Sequence, residues 1–366
     1  MKILLYIDNL GPGGAQRQLT GLAEMLSMSG YEVLILTYHD WSFYTGMLPD
    51  TVGYLCYEDH GNPFKRLLSL KRTVRDFEPN VVLSYQRSPN LFTCLLKMFR
   101  LYKGKLIVSE RSLSTKCTFE SKRQFFFYRF ADKVIANSYA QLEYIRNNHP
   151  KIFKKSLTIP NFVDLNKFAP YDSRQRTRNN AIIVVASLRE VKNPKRLIQA
   201  AIELKEKGYD FTIKWFGVKS RVVPYYKECN DMIKEANLSD SFLLLDQTKD
   251  IATEYKKVDF FCLPSLYEGT SNALCEAMAS GLPVVCGNIS DNARYVKNGQ
   301  TGFLFDPTNV DSIIDAISKI LHLTDDEYFM FSSKCRKVAE QNWSNEIFLN
   351  RYKQVINNLC ANSSVR

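Results

Sequence analysis

The chain has 366 residues, 45% hydrophobic and 24% charged, with 13 Pro and 16 Gly. This composition excludes a disordered, collagen-like or low-complexity protein, and the length favours two domains over one. An excess of 49 Lys and Arg over 38 Asp and Glu gives a net charge of +11, and it is local, since residues 65–133 hold 16 basic and 5 acidic residues; such an excess suits nucleic acid, an anionic membrane surface or a phosphorylated substrate without choosing among them.

In chain order, the first apolar run is a buried strand over 2–7, followed by a Gly-rich turn over 9–14, a long helix over 15–29 and a second strand over 32–37. The run ends at Asp8, too short for a signal-peptide core or for a span of about 20 residues. A cytoplasmic protein, at most peripheral on the inner face of the cytoplasmic membrane, is therefore expected. Strands at 81–84, 106–109 and 134–136 continue the β/α alternation. Two basic, aromatic stretches, 90–103 and 119–130, have the character of amphipathic helices that lie on an anionic membrane, with a core-facing stripe as the alternative.

The polar stretch 171–180 interrupts the pattern and is the expected linker. Alternation then resumes with strands at 181–186, 211–216, 242–245, 260–264 and 283–286, and helices at 194–208, 224–236 and 272–280. A helical period over 342–360 ends the chain. Two doubly wound α/β domains in tandem are the simplest architecture. The nine cysteines stand singly without a Cys-x-x-Cys pair, which argues for reduced thiols and against a zinc site. None of the four histidines, at 39, 60, 149 and 322, falls in a motif.

Two loops carry the chemistry. Gly11-Pro12-Gly13-Gly14 lies between a strand and a helix, where glycines admit a close ligand and free helix N–H groups attract anions. Arg17, one turn into the helix, adds a cation. The loop is not Gly-x-Gly-x-x-Gly, so a nicotinamide cofactor is not indicated; a tight turn without ligand is the alternative.

In the second half, Gly269, Thr270, Ser271 and Asn272 form a small-polar turn after a strand, and the helix that follows turns its positive end toward the strand's carboxyl end. Glu276, about one turn into that helix, suits two hydroxyls of a ribose, and Glu268 precedes the turn near a sugar. Arg189 or Lys192, in the loop after strand 181–186, is placed to neutralise a diphosphate. Surface glutamates and a solvated loop are the competing reading of either element alone.

These residues, with Gly13-Gly14-Ala15-Gln16-Arg17, Ile159-Pro160-Asn161-x-Val163-Asp164-x-x-x-Phe168, Ser187-Leu188 to Lys192-Asn193, Leu263-Pro264-Ser265, Glu268-x7-Glu276, Ala279-x-Gly281-x-Pro283-Val284 and Asn298-Gly299-x-Thr301-Gly302-Phe303-Leu304, resemble the glycosyl transferases group 1 family over nearly the whole chain. The resemblance implies the GT-B fold, two Rossmann-like domains facing a cleft, and a retaining enzyme. It places the acceptor-side domain at 1–170, the linker at 171–180, the nucleotide-sugar domain at 181–342, and a last helix, 343–366, packing back on the first domain.

Carried over, Lys192 is the cation on the donor diphosphate, Glu276 the ribose ligand, Glu268 a partner of the transferred sugar, residues 269–272 the phosphate and sugar cradle, and Gly13 and Gly14 the loop closing on the donor. Asn161, in the junction motif, joins the substrate ligands. Many relatives read Gly-Arg-Leu where this chain has Ala186-Ser187-Leu188, which makes Arg189 the candidate replacement. Many also carry a histidine where Arg111 stands, and an arginine stabilises charge without serving as a neutral base.

The chain has no Asp-x-Asp, so metal-independent departure of the diphosphate and no cofactor are expected. The implied partners are a nucleotide-sugar, weakly a UDP-sugar, a glycan or lipid-linked glycan of bacterial surface polysaccharide, and an anionic membrane touched through 90–130; no binding module for nucleic acid accompanies the charge. A sugar-nucleotide epimerase or hydrolase, or a binding module without activity, are the alternatives.

Overall fold

The computed structural model describes residues 1–171, 178–218, 220 and 222–361. They form two compact units, one of Met1–Phe162 with the chain from Asn345, the other of Val163–Ser344.

The first unit runs β1 (Lys2–Tyr6), α1 (Gly14–Met28), β2 (Glu32–Thr37), β3 (Val52–Cys56), α2 (Pro63–Phe77), β4 (Val81–Tyr85), α3 (Arg87–Met98), β5 (Lys105–Glu110), α4 (Phe119–Phe127), β6 (Lys133–Ala136), α5 (Tyr139–Asn148), α6 (Pro150–Phe153) and β7 (Ser156–Thr158). All pairings are parallel, in the order β3-β2-β1-β4-β5-β6-β7. Apolar runs such as Ile3-Leu4-Leu5-Tyr6 form strands here because both sheet faces are covered. Ile3, Leu5 and Ile7 pack with Leu19, Leu22 and Leu26 of α1, whereas Leu4 and Tyr6 pack with Leu70, Phe92 and Phe125 on the opposite face. Alternation along the strand thus divides one sequence run between two cores.

The second unit runs β8 (Ala181–Val185), α7 (Pro194–Glu206), β9 (Thr212–Val218), α8 (Pro224–Glu235), β10 (Phe242–Asp246), α9 (Ile251–Tyr255), β11 (Phe260–Leu263), α10 (Asn272–Ala279), β12 (Val284–Gly287), α11 (Asn292–Tyr295), β13 (Gly302–Phe305), α12 (Val310–Leu321) and α13 (Asp325–Trp343). Its parallel order is β10-β9-β8-β11-β12-β13. In each sheet the winding reverses beside the first strand, between β1 and β4 and between β8 and β11. Ligands of doubly wound folds sit outside the carboxyl ends of the strands at such a reversal.

Three expectations change. The terminal helical period 342–360 is two helices, because Ser344 is extended (φ −60°, ψ 151°) between α13 and α14 (Asn345–Ala361). Trp343 therefore belongs to the second unit, fully buried with its ring 4.7 Å from that of Tyr295, and the returning helix starts at Asn345 rather than at 343. Its Phe348, Tyr352 and Ile356 join the core of the first unit.

The first unit also ends before 170. Val163 and Phe168 are core residues of the second, and the Val163 amide donates to the Trp343 carbonyl at 2.8 Å. Of the expected linker, residues 172–177 lie outside the described residues. Arg178 is tied to Asp325 at 2.9 Å, and the amides of Asn179 and Ala181 both donate to Asp259 at 3.0 Å, so 178–180 pack as part of the second unit. Among the described residues no helix is long and apolar enough to cross a membrane.

Candidate active site

In the second unit the loop after β8 closes with a single 3₁₀ turn, Glu190–Lys192, and Asn193 follows in the left-handed region (φ 61°). Asn tolerates that conformation better than most residues. Its side chain, 3% exposed, donates to the carbonyl of Pro264 at 3.0 Å and to that of Pro307 at 2.7 Å, while Arg196 donates to its Oδ1 at 3.0 Å. One amide thus pins the loop after β8 to the ends of β11 and β13, and the Leu266 amide adds a bond to the Val191 carbonyl at 2.9 Å.

The consequence is a contact across the winding reversal. Lys192 Nζ donates to Glu268 Oε1, and Ser265 Oγ donates to the same oxygen at 2.8 Å. The pair is partly shielded, with side-chain exposures of 22% for Lys192 and 12% for Glu268. Arg189 is exposed and caps the 3₁₀ turn through its backbone, so the pairing at Glu268 falls to Lys192.

Beyond Glu268 the chain turns through half-buried Gly269 and buried Thr270, whose hydroxyl lies 3.5 Å from Asp291 Oδ2. Ser271 is the N-cap of α10, accepting from the Leu274 amide at 3.4 Å, and Asn272 opens the helix. The cap satisfies one amide and leaves the helix's positive end beside Glu268. Glu276 lies one turn further along the wall, 3% exposed, with Tyr255 Oη 3.5 Å from its Oε2. Asp250 is the N-cap of α9, its carboxylate accepting from the Thr253 amide at 3.3 Å.

Close backbone approach accompanies this architecture. A Cβ on Gly217 would lie 2.2 Å from the Ala186 carbonyl, where the strand ends bend around Ser187. A Cβ on Gly302 would lie 1.8 Å from the Val284 carbonyl, so the β12–β13 pairing requires glycine there.

The first unit gathers a second group. Gly13 is the extended N-cap of α1, and a Cβ there would strike Gln16 Oε1 at 2.2 Å. Gly14 opens the helix, and Arg17 stands half-buried on its first turn. Arg111 follows β5 directly. Its Nη2 donates to Asn161 Oδ1 at 2.5 Å and its guanidinium lies 4.5 Å from the centroid of the Tyr85 ring, which itself hydrogen-bonds Tyr352 of α14 at 2.8 Å. Arg111 Nε and Nη1 are shielded and pair with no acceptor among the described residues, so the group retains donors for an anion.

The structure therefore brings Lys192, Glu268, Gly269, Thr270, Ser271, Asn272 and Glu276 to one end of the second sheet, and Arg111 with Asn161 to the corresponding end of the first. Asn193 and Ser265 stand in the quoted motifs without an assigned role, and Asp291 stands in none; the part each plays follows from contacts that the sequence does not display. Of the cations in the 90–103 stretch, Lys97 is occupied within the fold, donating to the Gly104 carbonyl at 2.6 Å and lying 3.3 Å from Asp132.

Solved structures share this fold. A glycosyltransferase from Rickettsia africae ESF-5 superposes with a TM-score of 0.85 over 98% of both chains at 17% identity. Anabaena HepE in complex with UDP-glucose does so with a TM-score of 0.84 over 98% of this chain and 100% of that one, at 19% identity. Two parallel doubly wound sheets of this order define a protein of the GT-B class.

Residues 168–340 match the glycosyl transferases group 1 family and residues 12–167 match glycosyltransferase family 4. The two matches together span most of the chain, each half resembling a glycosyltransferase family. Among curated relatives, the Escherichia coli UDP-Gal:α-D-GlcNAc-diphosphoundecaprenol α-1,3-galactosyltransferase is 33% identical over 57% of this chain and 58% of its own length. The Campylobacter jejuni N-acetylgalactosamine-N,N'-diacetylbacillosaminyl-diphospho-undecaprenol 4-α-N-acetylgalactosaminyltransferase is 27% identical over 87% of this chain and 90% of its own.

Proposed function

We propose that this chain is a retaining, metal-independent glycosyltransferase that moves a sugar from a UDP-sugar to a polyprenol-diphosphate-linked glycan during assembly of a surface polysaccharide. The observation that carries the donor side is the Lys192–Glu268 pair at the winding reversal of the second sheet, directly ahead of the capped start of α10. The acceptor class is supported by the names of the two relatives, both of which act on diphosphoundecaprenol-linked sugars.

In this reading Lys192 and the amides opening α10 receive the negative charge that develops on the nucleoside diphosphate as its bond to the anomeric carbon breaks. Glu276 holds the ribose, and Glu268 orients both Lys192 and the transferred sugar. The acceptor hydroxyl attacks from the face the diphosphate leaves, the new C–O bond forms there, and the hydroxyl proton passes to a departing phosphate oxygen. The configuration is thereby retained. Arg111 supplies positive charge on the acceptor side.

Exposed Phe99, Phe119 and Phe126, the second of these 83% exposed, each lie within four residues along the chain of exposed cations among Arg100, Lys103, Lys122 and Arg123. Large exposed apolar groups interleaved with cations suit an anionic bilayer, which supports a peripheral position on the cytoplasmic membrane.

The test is transfer from UDP-, GDP- and ADP-sugars to a short-chain prenyl-diphospho-N-acetylglucosamine, with and without EDTA, for wild type, Lys192→Ala and Glu268→Gln. Wild type transfers with retention in EDTA, and each variant loses about two orders of magnitude or more in kcat. Full rates in both variants would defeat the assignment, and turnover of donor without acceptor dependence would indicate an epimerase or hydrolase.

A further inference from the structure

The two sheets wind alike, and each reverses beside its first strand. In the second unit the reversal is bridged by Lys192 and Glu268. In the first unit it is bridged by a different chemistry, contributed by Asp8 after β1, Gln86 after β4 and Gln16 on the first turns of α1.

Asp8 Oδ1 accepts from the Asn9 amide at 2.8 Å and from Gln16 Nε2 at 3.2 Å. In the orientation that satisfies the Gln86 amide, its nitrogen donates to Asp8 Oδ1 at 2.6 Å and to Oδ2 at 3.0 Å, and its oxygen accepts from Gln16 Nε2 at 3.2 Å. Asp8 Oδ2 accepts from Gln86 and, having two lone pairs, can accept a further donor. Asp8 and Gln86 are half-buried, reachable from solvent yet shielded from bulk water.

Gln86 has φ 77° and ψ 163°, a combination essentially reserved for glycine. The sequence therefore keeps a long polar side chain at a position whose backbone favours none. Gly13 contributes by absence of a side chain, because a Cβ there would collide with the Gln16 amide. Among the described residues no Lys or Arg side chain donates to Asp8, and a carboxylate beside two amides matches neutral hydroxyls, whereas Lys192 matches phosphate.

We propose that Asp8, Gln16 and Gln86 form a carbohydrate subsite that binds hydroxyls of the acceptor's terminal sugar at the β1/β4 reversal of the first unit. The assignment rests on the glycosyltransferase reading for its ligand class. Burial raises the Asp8 carboxyl above its ordinary value, consistent with a shielded site.

The experiment compares wild type, Asp8→Asn and Gln86→Ala, with UDP-galactose as donor and the short-chain prenyl-diphospho-N-acetylglucosamine as acceptor. Each substitution is expected to raise the acceptor KM about tenfold or more while the Kd for UDP stays within about twofold. An acceptor KM within about twofold of wild type in both variants overturns the subsite. If wild type transfers nothing to this acceptor, the reading of the acceptor in the preceding section fails, and saturation-transfer NMR with methyl α-N-acetylglucosaminide decides the subsite separately. Saturation seen with wild type and lost in Asp8→Asn supports it; equal or absent saturation overturns it. Thermal unfolding of both variants checks that each is folded.

Discussion

Replacing Asn193 by glycine tests how the donor-side loop is held. Glycine keeps the left-handed backbone but removes both bonds that reach the Pro264 and Pro307 carbonyls, at 3.0 and 2.7 Å. A net hydrogen bond contributes about 0.5–1.5 kcal/mol, and a buried acceptor left unpaired costs about 1–3 kcal/mol. The two together place Asn193→Gly at about 2–4 kcal/mol. Asn193→Ala suffers the same losses and adds about 1–2 kcal/mol for a Cβ in the left-handed region. For a unit the size of Val163–Ser344, 1 kcal/mol moves Tm by about 2–4 °C. Calorimetric unfolding should therefore show a fall of about 4–16 °C for glycine and a larger fall for alanine. The affinity for UDP should weaken in parallel, because the loop that loosens carries Lys192. A glycine variant within about 1 °C of wild type, or an alanine variant no less stable than the glycine one, would refute the reasoning.

Two further outcomes concern the first unit. Gln86→Gly and Gln86→Ala both lose the amide, yet only glycine relieves the positive φ, so the glycine variant should be about 1–3 kcal/mol more stable than the alanine variant by urea unfolding; equal stabilities would contradict the strained backbone. Glu110 is buried and accepts from Gln124 at 2.6 Å, from Asn90 at 3.4 Å and from Tyr128; burial raises its carboxyl above the ordinary range despite these donors. The folded state then holds this proton more tightly than the unfolded state, so the stability it contributes is full below about pH 4 and is lost as pH rises through the raised folded value. Wild type should gain stability relative to Glu110→Gln as pH falls from neutrality, and urea-derived stabilities that stay parallel across that range would count against it.

The alternation of strands and helices was legible because doubly covered strands read as short apolar runs, and because Gly, Pro and Asn punctuate them. The short strands β3, β7 and β13 were not. β3 alternates in exposure at a sheet edge, and β13 is defined by Gly302 lying against Val284 rather than by its own composition. The break at Ser344 was hidden for a related reason. Trp343 continues the apolar period of the last helix, and only the core around Tyr295 shows to which unit it belongs.

The candidate site divides in the same way. The Glu268-to-Glu276 segment is local: a polar turn and a capped helix following one strand along the chain determine which groups face the strand's carboxyl end, and that order is written in the sequence. The choice between Arg189 and Lys192 was not, since it follows from a 3₁₀ turn that Asn193 anchors to strand ends 71 and 114 residues away. Likewise Asp8 and Gln86 meet only because β1 pairs with β4 across the intervening β2 and β3. Short-range backbone preference and apolar period determined the class of fold and the local motifs. Strand order decided which side chains share a site, because residues distant in sequence become neighbours only when parallel strands align their carboxyl ends.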